Sequence, residues 1–427
     1  MKRITYITAA AVWLLLQACK TQAPGAHTGK AWKAPEGVVI QQIMDDAQQQ
    51  TRLMLKAVPE AAKWLAEANA AAGKAAPDAF SPRTAEQGKL KLVNSRDWTS
   101  GFFPGELWLL YEYTGNKEWR DAAEAYTVRM EREKTNGDTH DMGFKMYCSF
   151  GNGYKLTKDA HYKEVLIQSA RTLITRFNPA IGCIRSWDHH KEQWVFPVII
   201  DNMMNLELLF AATRLSGDSS FYKIAVQHAN TTMKNHFRPD FSSYHVVDYD
   251  PVTGAVRSKN TAQGYADESA WARGQAWGLY GYTMCFRETG NRAYLDQAEH
   301  IAAFILNHPN LPADKVPFWD YNDPAIPKAP KDASAAAIMA SALYELSLYS
   351  TRGESYVRTA DRILESLSGN YRSAIGQGND FLLQHSTGHK PANSEIDVPI
   401  IYADYYYLEA LLRRNQFMKA HTLFMPL

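Results

Sequence analysis

The stretch LWLLYEYTGNKEWRDAAEAY, residues 107 to 126, joins a half that is apolar on most faces to a half with a narrow apolar stripe, across a small-residue Thr-Gly-Asn turn. The pattern returns in LLFAATRLSGDSSFYKIAVQHA (208 to 229) and GLYGYTMCFRETGNRAYLDQAEHI (278 to 301). With altered turns it recurs in FGNGYKLTKDAHYKEVLIQSA (150 to 170) and ALYELSLYSTRGESYVRTADRI (342 to 363), and a last apolar helix is YADYYYLEALLRR (402 to 414). A helix apolar all round is buried, and one with a stripe lies outside it, so each unit supplies an inner and an outer helix. First helices near 107, 146, 202, 276, 336 and 401 make six, and a helix over 38 to 72 can serve as outer partner of the last. The rhythm predicts an all-α fold, a closed (α/α)6 barrel of six hairpins, as one domain over residues 36 to 427. No low-complexity linker interrupts that range. YHVVDYDPVTGAV (244 to 256) reads as a short β-hairpin inserted in it.

Composition bounds the rest. The chain has 427 residues, 46% of them hydrophobic, with 46 basic against 45 acidic side chains, enough apolar material for a large core. Near-zero net charge without a long Lys/Arg run argues against nucleic acid or an anionic membrane surface as partner. A monomer is the expected state. At the amino terminus, Lys2 and Arg3 precede a short apolar run ending in LQAC (16 to 19), the pattern of an export signal over residues 1 to 18 with Cys19 as lipid anchor. Residues 19 to 35 then read as a polar tether, and the location expected is periplasmic or outer-membrane-anchored in a Gram-negative bacterium. Cys148, Cys183 and Cys285 lack CxxC spacing and sit in apolar surroundings, so packing is their expected role.

The segments feeding the six inner helices are unusual. They include SRDWTSGFFPG, THDMGF, CIRSWDHHKEQWVFPVIIDNMMN, YADESAWARGQAWG and HSTGHKPANSEIDVPIIYAD. If the inner helices are parallel, these Trp, His, Arg and Asp residues converge at one mouth, where six helix dipoles present their positive ends. Tryptophan faces stack on sugar rings while acids and histidines bond hydroxyls, so an anionic carbohydrate fits best. Asp141 and Asp201 begin neighbouring inner helices and can face each other, and burial with mutual repulsion lifts one carboxyl above its solution value of ~4. Asp201 also stands where a helix cap would, and Asp267, Asp404, Glu268 and Asp397 compete for the acid roles. No metal motif, nucleotide-binding glycine loop or GxSxG elbow is present, so neither metal nor cofactor is expected.

WTSGFFPGELW (98 to 108), HDMGF (140 to 144), GCIRSWD (182 to 188), DNMMNLELL (201 to 209), DESAWARGQAWG (267 to 278) and SEIDVPIIYADYYYLEALLR (394 to 413) together resemble the unsaturated glucuronyl hydrolases, glycoside hydrolase family 88. The resemblance spans nearly the whole chain after the tether. It implies an (α/α)6 barrel that removes the Δ4,5-unsaturated uronic acid from the non-reducing end of oligosaccharides left by polysaccharide lyases, by hydrating the vinyl ether. By motif position Asp201 corresponds to the general acid/base and Asp141 to the second essential aspartate. Trp98, His140, Trp187, His245, Gln263, Trp271, Arg273 and Trp277 stand at substrate-contacting positions. Trp98, Trp187 and Trp277 would stack on sugar rings, and His245, Gln263 and Arg273 would bond hydroxyls, the carboxylate or the glycosidic region. Ser386, Thr387, His389 and Lys390 partly keep a sulfate-reading loop, which implies tolerance of sulfate on the adjoining sugar. The alternatives are an unsaturated rhamnogalacturonyl hydrolase acting on pectin fragments and a glycan-binding lipoprotein without catalysis.

Overall fold

The protein was analysed as a computed structural model that describes residues 40–420. Cys19, the signal region and the tether lie outside the described residues. The chain opens with the long helix α1 (Ile40–Ala71), followed by a hairpin of β1 (Ser81–Glu86) and β2 (Lys89–Val93). Helices α2 (Phe102–Thr114) and α3 (Lys117–Thr127) come next, then a π-helical turn (Gly143–Gly151) running into α4 (Asn152–Thr157), and α5 (Ala160–Ile174). The short strands β3 (Phe177–Asn178), β4 (Cys183–Ile184) and β5 (Pro197–Ile199) lead to α6 (Asn202–Ser216) and α7 (Ser219–Asn235). Strands β6 (Val246–Tyr249) and β7 (Val256–Asn260) precede α8 (Ala272–Thr289), α9 (Arg292–Asn307), α10 (Ala333–Leu346) and α11 (Gly353–Ser366). The hairpin of β8 (Ser386–His389) and β9 (Ser394–Val398) leads into α12 (Ile401–Ala420).

Local chemistry explains the repeat. Gly115, Gly217 and Gly290 each end an inner helix at φ 67°, 77° and 67°, a left-handed conformation that costs glycine nothing. One residue later Asn116, Asp218 and Asn291 cap the next helix, their side chains accepting from the backbone N–H of Glu118, Ser220 and Ala293. In the second hairpin Lys158 takes the left-handed position at φ 57° and Asp159 caps α5, which is why the glycine signal is missing there although the turn is kept.

The inner segments contact one another in a closed ring: α2, the π-helical turn, α6, α8, α10, α12 and back to α2. Every residue of α10 is buried, and its small-residue sequence ASAAAIMASAL lets α8 and α12 approach closely. By contrast α11 buries Tyr356, Val357, Ala360, Ile363 and Leu364, a single stripe at helical spacing. The (α/α)6 barrel expected from the repeat is the observed fold, with the first helices at the positions counted. The inserted hairpin at 244 to 256 is present as β6 and β7, joined on one side by β5. The β1–β2 and β8–β9 hairpins and the π-helical turn were not legible in the periodicity.

Candidate active site

Two short pairings bring the acids and histidines together. Ile199 of β5 pairs with Val246 of β6, and the next N–H, of Ile200, donates to the carbonyl of His245 at 3.1 Å. That register sets His245 beside Asp201, with Nε2 3.7 Å from Oδ2. His245 Nδ1 accepts from the backbone N–H groups of Ala262 and Gln263, each at 3.1 Å, so geometry assigns the ring proton to Nε2, facing Asp201. Burial and the nearby Arg273 hold His245 well below the usual imidazole range, so it stays neutral.

Asp201 occupies the position before α6 but does not cap it: its φ and ψ are −56° and −28°, and its side chain accepts no bond from the first turn. Its Oδ2 is buried and has no hydrogen-bond partner. Burial raises its pKa, Arg273 opposes the rise and Asp141 adds to it, and the result is about 7. A carboxyl poised there can hold a proton at neutral pH and release it to substrate.

Asp141 lies in the tight turn before the π-helical segment, where Thr139 Oγ accepts from its N–H at 3.1 Å. Next to it His140 Nδ1 donates to the carbonyl of Ser186 at 2.7 Å, leaving Nε2 3.2 Å from Asp141 Oδ1 without hydrogen-bond alignment. Three residues not singled out in the sequence fix this arrangement. Asn205, one turn along α6 from Asp201, accepts from the N–H of Phe144 at 3.1 Å and so pins the start of the second inner segment. Gly143 permits that contact, since a Cβ there would lie 2.6 Å from the Cα of Asn205. Asn202 donates to the carbonyl of Ile184 at 2.9 Å and ties α6 to the loop carrying Trp187. Asparagines inside an apolar helix were the available signal.

A cleft of about 600 Å³ opens beside these groups, lined among others by Trp98, Trp187, Gln263, Arg273 and Tyr402. Trp98 and Trp187 are half-buried on its walls, and the Trp187 ring meets the edge of His245 at 5.8 Å. Gln263 lines the cleft while its amide donates to the carbonyl of Gly388 at 3.2 Å.

Trp277 is fully buried with its ring against Phe144 at 5.1 Å and Tyr406 at 5.4 Å, so no face is left to stack on a sugar. Trp271 is likewise buried, between the His245 ring at 4.6 Å and the Arg273 guanidinium at 4.5 Å, and acts by positioning both. Arg273 pairs with Asp332, at 3.0 Å, and its Nη groups also donate to the carbonyls of Thr387 and Gly388, each at 2.6 Å. Only its Nε remains unpartnered. Ser386 is buried in β8 and its Oγ has no hydrogen-bond partner. Lys390 pairs with Asp323 at 3.3 Å and lies 4.8 Å from the Trp319 ring centroid, between His389 and Pro391, which line the cleft.

The competing acids are accounted for. Exposed Asp267 accepts from the N–H of Thr261 at 2.8 Å, and Glu268 lies 3.9 Å from Arg238. Asp397 bonds His385 at 2.6 Å, and Asp404 accepts from the N–H groups of Leu382 and Leu383.

The profile of Glycosyl Hydrolase Family 88 matches residues 74–426. A protein of Formosa agariphila named unsaturated glucuronyl hydrolase is 56% identical over 325 residues, which is 76% of this chain and 81% of that one. An unsaturated chondroitin disaccharide hydrolase of Streptococcus pneumoniae is 32% identical, covering 75% of this chain and 83% of its own length. The crystal structure of an unsaturated glucuronyl hydrolase specific for heparin superposes with a TM-score of 0.81 at 45% identity, covering 89% of this chain and 98% of that one. With the barrel, the acid pair and the motifs all in agreement, the chain belongs to glycoside hydrolase family 88.

Proposed function

We infer that the barrel mouth removes the Δ4,5-unsaturated uronic acid from lyase-generated glycosaminoglycan fragments, with Asp201 as general acid/base. The chain is an unsaturated glucuronyl hydrolase. The assignment of Asp201 rests on its buried Oδ2, which has no hydrogen-bond partner and lies beside a neutral His245. In the reaction the Asp201 carboxyl gives its proton to C4 while the π bond shifts charge to C5. Water adds at C5 and returns a proton to the Asp201 carboxylate. The hemiketal so formed opens and expels the aglycone sugar, so the carboxylate separations that distinguish retaining from inverting glycosidases do not govern it. Burial, aided by the nearby Asp141 and opposed by Arg273, raises the Asp201 carboxyl so that the general acid holds its proton. A glycan-binding protein has no use for such an unpaired buried acid, since its desolvation weakens the fold without adding a contact.

Substrate preference follows from the walls. Trp98 and Trp187 give the cleft aromatic walls, the Trp187 ring itself stacked on His189 at 5.2 Å, and Gln263 stands there to meet hydroxyls. With Lys390 turned to Asp323, sulfate on the adjoining sugar is tolerated without being read by that lysine. We also propose export, lipidation at Cys19, a periplasmic or outer-membrane-anchored location and action as a monomer, on the strength of Lys2, Arg3 and LQAC for the first three. Labelling with a fatty-acid analogue, lost in Cys19→Ser, tests the anchor. The activity is tested by following ultraviolet absorbance of the conjugated C4=C5 uronate in unsaturated chondroitin and heparin disaccharides. Persistence of that absorbance with wild-type protein on both would sink the reading.

A further inference from the structure

Tyr402 stands in the first turn of α12, on the cleft between Trp98 and Arg273. Its ring is held on several sides: Trp98 at 5.0 Å, Phe102 at 5.9 Å and the Arg273 guanidinium 5.3 Å from the ring centroid. The side chain is fully buried, yet its hydroxyl has no hydrogen-bond partner. An unmet hydroxyl of this kind costs stability, and a fold that keeps one at a ligand cleft has left a bond for the ligand to make.

The neighbouring group narrows which bond. Both Nη groups of Arg273 are committed to Asp332, Thr387 and Gly388, so an anion cannot take this guanidinium by its usual fork. What remains on that side is the Arg273 Nε–H, buried and unpartnered, and the Tyr402 hydroxyl on the adjacent side chain. Two unmet donors on side chains in contact match the two oxygens of one carboxylate. The unsaturated uronate carries one carboxylate, and the other guanidinium on the cleft, Arg83, is paired with Asp97 and Glu395.

We propose that Tyr402 is a substrate-binding residue whose hydroxyl, with Arg273 Nε, holds the carboxylate of the unsaturated uronic acid. This rests on the hydrolase reading above. The carboxylate is present alike in substrate and transition state, so losing the bond raises KM and leaves kcat nearly unchanged.

Tyr402→Phe keeps the ring and removes the hydroxyl alone. Expected are a KM raised about 10- to 100-fold on an unsaturated disaccharide and a Tm unchanged or raised by about 1–3 °C, because an unmet buried hydroxyl has gone. Wild-type protein should discriminate strongly against the carboxyl methyl ester of the same disaccharide, and Tyr402→Phe should lose part of that discrimination. A lowered Tm with unchanged KM would make the hydroxyl structural and overturn the inference. So would an acid-to-ester preference identical in the two proteins. An inactive wild type on the unmodified disaccharide would instead count against the hydrolase reading itself.

Discussion

The two ends of the inner helices handle buried charge in opposite ways. Near their amino ends Asp201, His140, His245, Trp277, Tyr402 and the Nε of Arg273 each keep a buried polar atom without a partner. Further along the same helices the charges are satisfied. Arg287 pairs with Glu207, Glu288 and, at 2.8 Å, Glu345, and Arg413 pairs with Glu345 at 2.9 Å while donating to the Tyr280 hydroxyl. Glu409 accepts from Ser341 and from Tyr280. One end is built for stability, and the other is left incomplete for a ligand. Burial alone therefore does not mark a working residue. Burial without a partner is the better guide where the side chain also lines the cleft, as Tyr402 and Arg273 do.

The contrast can be broken by exchanging what each end lacks. Asp201→Asn should lower kcat by about 10²- to 10⁴-fold, the usual worth of a general acid, while leaving Tm unchanged or higher. Near-normal turnover would remove Asp201 from the chemistry. Arg287→Met, at the other end, strands buried glutamates and should cost about 3–5 kcal/mol in denaturant unfolding, with KM unaltered in whatever remains folded. A KM shift there would join the two ends functionally.

Proton linkage sharpens the difference. With a folded pKa of about 7 against ~4 unfolded, Asp201 binds more protons in the native state between those values. Its contribution to stability is present in full below pH ~4 and is lost as pH rises through about 7. The acid limb it supplies makes kcat/KM fall above about pH 7, since only the protonated carboxyl can deliver to C4. A pH profile that stays flat from 6 to 9 would refute that protonation state.

Smaller effects belong to the walls. Trp187→Ala should raise KM about 10-fold through lost stacking, whereas Trp277, which is fully buried, should act on stability when truncated. Lys390→Met should change activity on sulfated and unsulfated disaccharides by no more than about twofold, and equally, because the lysine serves Asp323. A selective loss on one sulfated isomer would return Lys390 to the substrate.

What could be read from the chain and what could not divides along sequence distance. The hairpin rhythm was legible because Gly115 and Asn116, or Gly217 and Asp218, act within two or three residues of themselves. Asp141, Asp201 and the Trp-bearing segments were legible because they precede inner helices whose order was already known. The covering of Trp277 by Phe144 and Tyr406, the capture of Lys390 by Asp323 and the pairing of Arg273 with Asp332 are contacts between distant segments, and no local pattern announces them. Tyr402 was hidden for another reason. In YADYYYLEALL an aromatic at an inner position looks like core, and it is core except for one oxygen.

The bond from the Phe144 amide to Asn205 has a mechanical consequence. Asp201 and Asn205 ride on one helix, and the segment that follows Asp141 hangs from Asn205. The two aspartates are thus tied through one helix, and their spacing depends on a single amide hydrogen bond that lies away from the cleft lining.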